Sequence, residues 1–467
     1  MSERPSPLVA VLTLGCKLNQ ADSQALAREL LAHGCQVIDR ATPADALIIN
    51  ACSVTHVADR KSRHLVRLAR RLSPAATIVL TGCYEPNGGP DLAQHLGANW
   101  LVANAEKPTV ARRLVRHWRE QGRLGAELAA VQPGDGLRTR ASVKVQEGCN
   151  EVCAFCIVPR TRGREQSVPI RQVVAEVLAR QADGAKEVVL TGTQVGNYGR
   201  DLGLAAGPRD LLATLLAETA VPRLRLSSLQ AQDIDGDLLR LWQDSRLCRH
   251  FHLPLQSGSD RILAAMRRRY TVERFRRAVA LIRRSAPDVA ITTDVIVGFP
   301  GETDEEFQRT YDLCQELAFA AIHVFPYSRR PGTLAALARE QVPHAVKRQR
   351  LQRMLKLARA SADAFRARFQ GRTMEVLWEE AKAQQDGQRP LWRGLTDNYL
   401  RVYTCAENGS ASGCRPGFDL TNRLLPARLG EPLGDGLWGE PEPAADPLPA
   451  EASAGGPACR QAGRIKG

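Results

Sequence analysis

Short apolar runs alternate with amphipathic segments over the N-terminal quarter of the chain. Three of the runs have the length and the near-continuous apolar character of buried strands in a parallel sheet: Leu8–Leu14, Ala46–Asn50 and Thr77–Thr81. Between them, Asp22–Ala32 and Ala58–Leu72 show helical spacing, and each repeat has the length of a βαβ unit. The pattern predicts a doubly wound parallel-sheet domain over residues 8–119, followed by a Gly-, Ala- and charge-rich linker at 120–138.

The same alternation resumes at Ala141 and continues to about Ser328. Six short runs have strand character: Ala141–Gln146, Glu187–Thr191, Arg223–Ser227, His250–Leu255, Thr292–Val297 and Ala321–Phe325. Amphipathic segments such as Ile170–Gln181 and Thr271–Arg284 separate them. Six strand–helix repeats favour an open, partial (β/α)6 barrel over a complete eight-stranded one, and we assign residues 139–370 to this unit.

A basic segment at residues 345–369 has one apolar face at helical spacing, which predicts a helix. The face consists of Leu351, Leu355, Ala358, Ala362, Phe365 and Phe369. After Gly371 the pattern changes to short alternating runs, which predict a small β-barrel over 371–439: Met374–Trp378, Trp392–Leu395 and Tyr399–Tyr403. Residues 440–467 are rich in Pro, Ala and Gly, and we expect a disordered tail. The expected fold class is therefore α/β with a C-terminal β-barrel.

The composition narrows the class of protein. The chain has 467 residues, more than one compact core usually holds, so several domains are expected. Lys and Arg total 64 against 50 Asp and Glu, and the net charge of +14 favours a polyanionic partner such as a nucleic acid. No apolar run reaches the roughly 18 residues that span a bilayer, and Met1–Pro7 does not resemble a secretory signal. We therefore expect a cytoplasmic protein with no membrane contact, whose 12 cysteines serve metal binding or catalysis rather than disulfides.

The densest cysteine motif is the CxxxCxxC segment of Cys149, Cys153 and Cys156, which follows the first strand of the predicted barrel. Three thiolates on one loop can hold three irons of a cubane cluster and leave the fourth iron open, whereas a ferredoxin that only carries electrons supplies four cysteines. An open metal position is where a substrate or cofactor coordinates. The alternative is a structural zinc loop, which would require a fourth ligand and usually has CxxC spacing.

Three further cysteines, Cys16, Cys52 and Cys83, each follow an apolar strand of the predicted N-terminal sheet. Because the carboxyl ends of parallel strands meet at one edge, these thiols can converge on one point. The alternative is coincidence, since a free cysteine is often simply buried. Convergence of three thiols predicts a second cluster with an exchangeable position. The other internal cysteines before the β-barrel are expected to be core residues: Cys35, Cys248 and Cys314.

The CxxxCxxC loop, with Phe155 before its last cysteine at the top of the first of six barrel strands, resembles the radical S-adenosylmethionine superfamily. Two three-cysteine sets in this order, followed by a small β domain, resemble the methylthiotransferases of that superfamily. The resemblance covers residues 8 to about 439 and is carried by three segments: Thr13–Gln20, His252–Asp260 and Asp294–Thr303.

This resemblance implies two 4Fe–4S clusters, one on the CxxxCxxC loop and an auxiliary one on Cys16, Cys52 and Cys83. It also implies that the protein binds S-adenosylmethionine and cleaves it reductively to a 5′-deoxyadenosyl radical. The resulting reaction would replace an unactivated C–H bond by C–S–CH3, and the cofactors would supply the radical chemistry that this requires. A flavodoxin-like or ferredoxin-like electron donor is the expected protein partner. Residues near the carboxyl ends of barrel strands are the candidate S-adenosylmethionine contacts: Gly192, Thr193, Arg225, Ser227 and Gly298.

The C-terminal β-barrel resembles the TRAM domain, a small RNA-binding barrel of this and related families. The segment Trp392–Tyr399 combines aromatic rings with a cation and suits base stacking and phosphate contact, although some of these rings must form barrel core. Several basic clusters support RNA binding: Arg60, Lys61, Arg63, Arg67, Arg70 and Arg71; Arg267, Arg268 and Arg269; and Lys347, Arg348, Arg350, Arg353 and Lys356. The resemblance to the methylthiotransferases implies the anticodon stem-loop of tRNA as the nucleic-acid partner.

The segment from Gly15 to Asn19, Gly-Cys-Lys-Leu-Asn, resembles the branch of the family that acts on N6-threonylcarbamoyladenosine beside the tRNA anticodon. The branch acting on N6-isopentenyladenosine typically has Gln-Met after this cysteine, and the ribosomal-protein branch typically has Pro-Lys; both stay open as alternatives. An RNA-binding iron–sulfur or zinc protein without catalysis would have closed four-ligand sites instead. A radical enzyme whose N-terminal domain only binds RNA would not depend on Cys52.

Overall fold

The computed structural model describes residues 6–84, 96–124, 139–205, 207–382, 391–405 and 419–442. Within these residues, the main strands form a five-stranded parallel sheet, an open set of six parallel strands and a closed barrel. This architecture confirms the predicted α/β fold class with its N-terminal sheet, partial barrel and C-terminal β-barrel. Among the same residues, no helix combines the length and the apolar character needed to cross a membrane.

The N-terminal sheet has five parallel strands in the order β2-β1-β3-β4-β5. Their bounds are β1 Leu8–Thr13, β2 Gln36–Ile38, β3 Ala46–Ala51, β4 Thr77–Gly82 and β5 Trp100–Leu101. The three apolar runs predicted as strands are confirmed as β1, β3 and β4, whereas the apolar pattern does not predict the short strands β2 and β5. The strand order reverses between β1 and β3, and ligands bind at such reversal points in open parallel sheets.

Helices cover both faces of this sheet: α1 Lys17–Ala32, α2 His56–Leu72 and α3 Val110–Glu120. Because side chains alternate along a strand, one face of β1 packs against α1 and α3, and the other packs against α2. Helix α1 begins earlier than the predicted Asp22, so Cys16 lies directly at its amino end. Helix α3 ends at Glu120, and most of the predicted linker, residues 125–138, lies outside the described residues.

The partial barrel consists of two three-stranded parallel sheets, β6-β9-β10 and β11-β12-β13, joined by the bridges Leu224–Leu247 and Ser228–His252. The strand bounds are β6 Arg140–Lys144, β7 Gln146–Glu147, β8 Gln166–Ser167, β9 Glu187–Thr191, β10 Arg223–Leu226, β11 His250–His252, β12 Ala290–Val297 and β13 Ala321–Pro326. The six predicted barrel strands are thus confirmed. Strands β7 and β8 form a short antiparallel pair that flanks the CxxxCxxC loop. The barrel is open between β6 and β13.

The helices that accompany the partial barrel are α4 Val158–Arg162, α5 Ile170–Ala182, α6 Pro208–Glu218, α7 Gly236–Leu239, α8 Asp260–Ala265, α9 Val272–Ser285, α10 Asp304–Leu317, α11 Leu334–Leu337 and α12 His344–Ala367. Helix α10 begins with a capping box between Thr303 and Glu306. Helix α12 is the predicted basic helix, and Phe365 and Phe369 of its apolar face are buried in the core of the C-terminal β-barrel.

The C-terminal β-barrel is closed in the order β14-β15-β16-β18-β17. Its strands are β14 Thr373–Lys382, β15 Leu391–Thr396, β16 Arg401–Cys405, β17 Leu424–Leu433 and β18 Gly436–Pro441. Because β18 continues past Gly439, the prediction of disorder is wrong for Glu440 and Pro441. The rest of the predicted tail, from residue 443 onward, lies outside the described residues.

The N-terminal domain packs across the open side of the partial barrel and contacts both free edges. At the β6 edge, the Gln24 side chain accepts a hydrogen bond from the Ser142 backbone at 2.9 Å. At the β13 edge, Arg330 forms an ion pair of 2.6 Å with Asp59. The carboxyl edge of the N-terminal sheet, where Cys16 lies, is thereby turned toward the barrel.

The C-terminal β-barrel covers the amino end of the partial barrel through the turn between β15 and β16. Arg225 of β10 donates hydrogen bonds to the carbonyl oxygens of Thr396 and Asp397, at 3.3 and 2.9 Å. The Asp397 carboxylate accepts two hydrogen bonds from Arg249, at 2.6 and 3.1 Å. Tyr399 follows in the left-handed region, with φ 68°, and its ring enters the barrel floor, where it stacks on His250. These contacts leave the carboxyl end of the barrel as its open mouth.

A fully buried ion pair between Arg225 and Glu187 anchors this floor, at 2.7 Å. Burial acts to raise the pKa of Glu187, but the charge and hydrogen bonds of Arg225 outweigh it and lower the pKa to about 2. We expect Glu187→Gln to destabilise the fold by about 3–5 kcal/mol, because it leaves a guanidinium buried beside a neutral amide. Urea denaturation followed by tryptophan fluorescence measures this effect.

The matched control is Glu316→Gln, which breaks an ion pair of 2.7 Å between Glu316 and Arg276 whose side chains are both about half exposed. Exposed pairs contribute less than about 1 kcal/mol. Equal urea midpoints for the two variants would contradict the assigned role of the buried pair.

Candidate metal centres at the barrel mouth

The CxxxCxxC segment forms a loop between β7 and α4, at the mouth of the partial barrel. Gly148, which begins the loop, has φ +73°, and a Cβ there would lie 1.9 Å from the carbonyl oxygen of Arg164. Glycine is therefore required by both the conformation and the close approach of the chain. Burial raises the pKa of the Cys149 thiol to about 11 and that of Cys156 to about 12, and the neighbouring Cys153 adds repulsion to both. The loop thus brings the three thiols within electrostatic reach of one another.

Hydrogen-bond donors surround the sulfur atoms of this loop. The backbone of Glu151 donates to Cys149 Sγ at 3.3 Å, and the backbone of Val158 donates to Cys156 Sγ at 3.4 Å. The Arg268 guanidinium donates to Cys153 Sγ at 3.4 Å. Donors of this kind stabilise thiolates and tune the potentials of iron–sulfur clusters. Arg268 therefore contacts the cysteine loop, and the prediction that it belongs to a phosphate-binding cluster is wrong.

The second cysteine set lies at the carboxyl ends of β1, β3 and β4, where the strand order of the N-terminal sheet reverses. Gly15 has φ +108°, and a Cβ there would lie 2.9 Å from the Cβ of Cys52. Burial, together with the charges of Cys83 and Cys16, raises the pKa of the Cys52 thiol to about 11. The structure therefore brings these three thiols together at one edge, as the strand positions predict.

Arg162, in helix α4 beyond the CxxxCxxC loop, contacts the second cysteine set. Its Nε donates to Cys83 Sγ at 3.1 Å, and its Nη1 donates to Glu147 at 2.6 Å. Its Nη2 donates to the side chain of Asn19. The sequence analysis does not identify this residue. Only its position shortly after Cys156 could have suggested a role, because its partners Asn19 and Cys83 are remote in sequence.

The residues predicted to contact S-adenosylmethionine after β9 and β10 lie at the barrel mouth. Gly192 has no room for a side chain, because a Cβ there would lie 2.9 Å from Oε1 of Gln146. The hydroxyl oxygens of Thr193 and Ser227 are buried and have no hydrogen-bond partner among the described residues. Unpartnered buried hydroxyls at strand ends are suited to a bound polar ligand such as S-adenosylmethionine.

The contacts of Arg225 contradict its predicted role in binding S-adenosylmethionine. Its side chain is held at the floor of the barrel by Glu187 and by carbonyls of the C-terminal β-barrel. Gly298, after β12, donates a backbone hydrogen bond to Glu302 at 2.7 Å, and a Cβ there would lie 2.2 Å from Lys347 Cγ. Close packing against α12 therefore explains why position 298 requires a glycine. Its contact with S-adenosylmethionine stays a prediction.

Polar side chains line the interior of the barrel between its floor and its mouth. His252 Nε2 lies 3.2 Å from an Asp294 carboxylate oxygen, and Asp294 is the register partner of His323 on the neighbouring strand. At the floor, the Tyr399 ring stacks on His250 with 4.5 Å between ring centres. The Tyr399 ring therefore lies inside the partial barrel. Trp392, the other aromatic residue predicted to stack on bases, is buried in the core of the C-terminal β-barrel.

Only some residues of the basic clusters predicted to bind RNA are exposed at the surface. Arg70 donates four hydrogen bonds to backbone carbonyls of its own domain, and Arg350 is buried in an ion pair of 2.6 Å with Glu302. These two arginines are therefore structural. Exposed members of the clusters include Arg60, Lys61, Arg67 and Arg71 on α2 and Arg348, Arg353 and Lys356 on α12.

Comparisons with known proteins agree with this geometry. Residues 143–314 match the radical SAM superfamily, and residues 8–103 match the uncharacterized protein family UPF0004. The threonylcarbamoyladenosine tRNA methylthiotransferase MtaB of Bacillus subtilis is 35% identical over 412 residues, which cover 84% of this chain and 89% of that protein. The tRNA-2-methylthio-N(6)-dimethylallyladenosine synthase of Acetivibrio thermocellus is 34% identical over 401 residues, which cover 81% and 82% of the two chains.

Among solved structures, the radical S-adenosylmethionine methyltransferase TsrM of Kitasatospora setae shares the fold, with a TM-score of 0.50 and 17% identity over 71% of this chain and 77% of that one. The fold and the cysteine loop define a radical S-adenosylmethionine enzyme, and this class implies a 4Fe–4S cluster and S-adenosylmethionine. Within that superfamily, the chain belongs to the methylthiotransferase family, whose members match it over most of its length.

The geometry of Gly148 predicts that Gly148→Ala prevents the CxxxCxxC loop from forming a cluster site, because its Cβ would collide with the backbone of Arg164. Iron bound after anaerobic reconstitution should fall by about half if the auxiliary site stays intact. The control is Gly203→Ala, since Gly203 has φ +72° but no atom within 4 Å of its Cβ position. Equal iron contents in both variants would show that the close approach at Gly148 does not control the loop.

Proposed function

We propose that this chain replaces the C2 hydrogen of N6-threonylcarbamoyladenosine in tRNA by a methylthio group. The observation that carries the proposal is the buried Arg162, which follows the CxxxCxxC loop in the chain and donates to Cys83 Sγ of the other cysteine set and to Glu147, which precedes the loop. The CxxxCxxC loop holds one 4Fe–4S cluster together with S-adenosylmethionine. Cys16, Cys52 and Cys83 hold a second cluster, because three soft sulfur donors at one sheet edge suit iron and leave one position free.

The cofactors, when bound, supply the one-electron chemistry that an unactivated C–H bond requires. The chain positions them and keeps the reacting groups close together. Arg162 places a fixed positive charge against Cys83, and Arg268 places one against Cys153. The unpartnered hydroxyls of Thr193 and Ser227 serve as hydrogen-bonding groups for S-adenosylmethionine, next to Gly192, where the absence of a side chain allows close approach.

The substrate assignment rests on both the relatives and the local sequence. Relatives named for the threonylcarbamoyl and for the dimethylallyl substrate have similar identities, 35% and 34%, so identity alone does not separate the two branches. The Gly-Cys-Lys-Leu-Asn segment favours the threonylcarbamoyl branch. A net charge of +14 and the exposed arginines of α2 and α12 support tRNA as the partner and disfavour a ribosomal protein.

We further infer that the reducing electrons come from a flavodoxin-like or ferredoxin-like protein and that the reaction takes place in the cytoplasm. The cysteines of the described residues are all free thiols, which supports a reducing compartment.

The role of the auxiliary set predicts that Cys52→Ala abolishes methylthiolation while reductive cleavage of S-adenosylmethionine continues. Bound iron should fall by about half, because only one of two clusters is lost. The control is Cys35→Ala, since Cys35 is buried in the core of the N-terminal domain. Assays of 5′-deoxyadenosine and of the modified nucleoside measure both activities, and retained methylthiolation in Cys52→Ala would rule out a catalytic auxiliary cluster.

The substrate is tested by mass spectrometry of nucleosides from total tRNA of a strain that lacks this protein. We expect loss of 2-methylthio-N6-threonylcarbamoyladenosine and accumulation of its precursor without the methylthio group. Loss of the 2-methylthio derivative of N6-isopentenyladenosine instead would support the methylthiotransferase activity but show that the substrate is N6-isopentenyladenosine. An unchanged nucleoside profile would contradict tRNA as the substrate.

A further inference from the structure

The floor of the partial barrel carries a lysine with no anionic partner. Lys17 follows Cys16 and is the first residue of α1. Its ammonium group lies 5.1 Å from the centre of the Tyr399 ring. Among the residues that the structure describes, no carboxylate lies within ion-pair distance of this ammonium group.

The two arginines around the same ring differ from Lys17 in this respect. Arg225 lies 4.8 Å from the centre of the Tyr399 ring and is paired with Glu187. Arg140 lies 6.0 Å from it and is paired with Glu379 at 2.9 Å. Lys17 is therefore the one cation of this trio whose charge is not matched by a carboxylate of the described chain.

Lys17 is partly buried, and an ammonium group that is partly removed from water is stabilised by an anion that reaches it. The open barrel interior beside Lys17 gives a ligand access, since His323 on β13 is exposed and Asp294 is about a quarter exposed. An anionic ligand that enters from the mouth can therefore reach Lys17, the residue that follows Cys16 in the chain.

We propose that Lys17 binds the carboxylate of the N6 substituent and so selects a threonylcarbamoyl-modified adenosine. This inference rests on the proposed function and names the residue that reads the substrate. In adenine, C2 and C6 are both bonded to N1, so an N6 substituent that is turned toward N1 extends along the edge that contains C2. If Cys16, Cys52 and Cys83 held a cluster at C2, that substituent would point toward the residue that follows Cys16.

An isopentenyl group in the same position would separate the ammonium group from water and offer it no acceptor. A site built for a charged group rejects an analogue that lacks this group, because the charged side chain of the site is then left without a hydrogen bond. Lys17 thus favours the carboxylate and disfavours the apolar substituent through the same contact.

The test compares two anticodon stem-loop RNAs, one with the threonylcarbamoyl carboxylate and one with the corresponding carboxamide. The reconstituted wild-type enzyme should prefer the carboxylate, measured as a ratio of kcat/KM. Lys17→Gln should lower this ratio about 10- to 100-fold, whereas Lys17→Arg keeps most of it. Lys186→Gln removes a lysine charge at the start of β9, outside the proposed site, and should leave the ratio unchanged.

Because Lys17 neighbours a proposed cluster ligand, iron content and the electron paramagnetic resonance spectrum of each variant are measured together with activity. If Lys17→Gln fails to load the auxiliary cluster, the dissociation constants of both RNAs for the cluster-free proteins replace the kinetic ratio. An unchanged preference for the carboxylate in Lys17→Gln, in either assay, overturns the inference. A wild-type enzyme that does not methylthiolate the carboxylate RNA overturns the proposed function instead, while the binding ratio still reports on Lys17.

Discussion

The Arg162 guanidinium contacts the N-terminal domain and the partial barrel at the same time. It donates to Cys83 Sγ and the Asn19 side chain on one side and to Glu147 on the other. A buried guanidinium needs fixed acceptors for its donors, so these contacts hold the two domains in one arrangement. Because Arg162 ends helix α4, the helix that follows the CxxxCxxC loop, its contact with Cys83 also brings the second cysteine set to the side of the barrel where that loop leads into α4.

The open barrel explains why a second domain can share its interior. Six strands leave one side uncovered, and the N-terminal domain occupies that side through contacts at both β6 and β13. The C-terminal β-barrel covers the floor with the turn that carries Asp397 and Tyr399. The barrel mouth is then left open, and we propose that the substrate enters there.

The sequence predicts the elements of this fold better than their mutual contacts. Strand periodicity identifies the barrel strands and the position of Cys16, Cys52 and Cys83 at strand ends, since both depend on local pattern. The pairing of Arg162 with Asn19 joins residues 143 positions apart, and no local pattern encodes it. For the same reason, the sequence does not predict that Arg268 donates to Cys153 and that Arg225 donates to Glu187.

The central claim is that both cysteine sets act on the C2 position of one modified adenosine. The most direct measurement uses an anticodon stem-loop whose N6-threonylcarbamoyladenosine carries deuterium at C2, incubated anaerobically with reconstituted enzyme, S-adenosylmethionine and a reductant. We predict that the deuterium is transferred to the released 5′-deoxyadenosine as the 2-methylthio product forms. Formation of 5′-deoxyadenosine without deuterium, together with RNA that keeps its C2 label, would contradict the account.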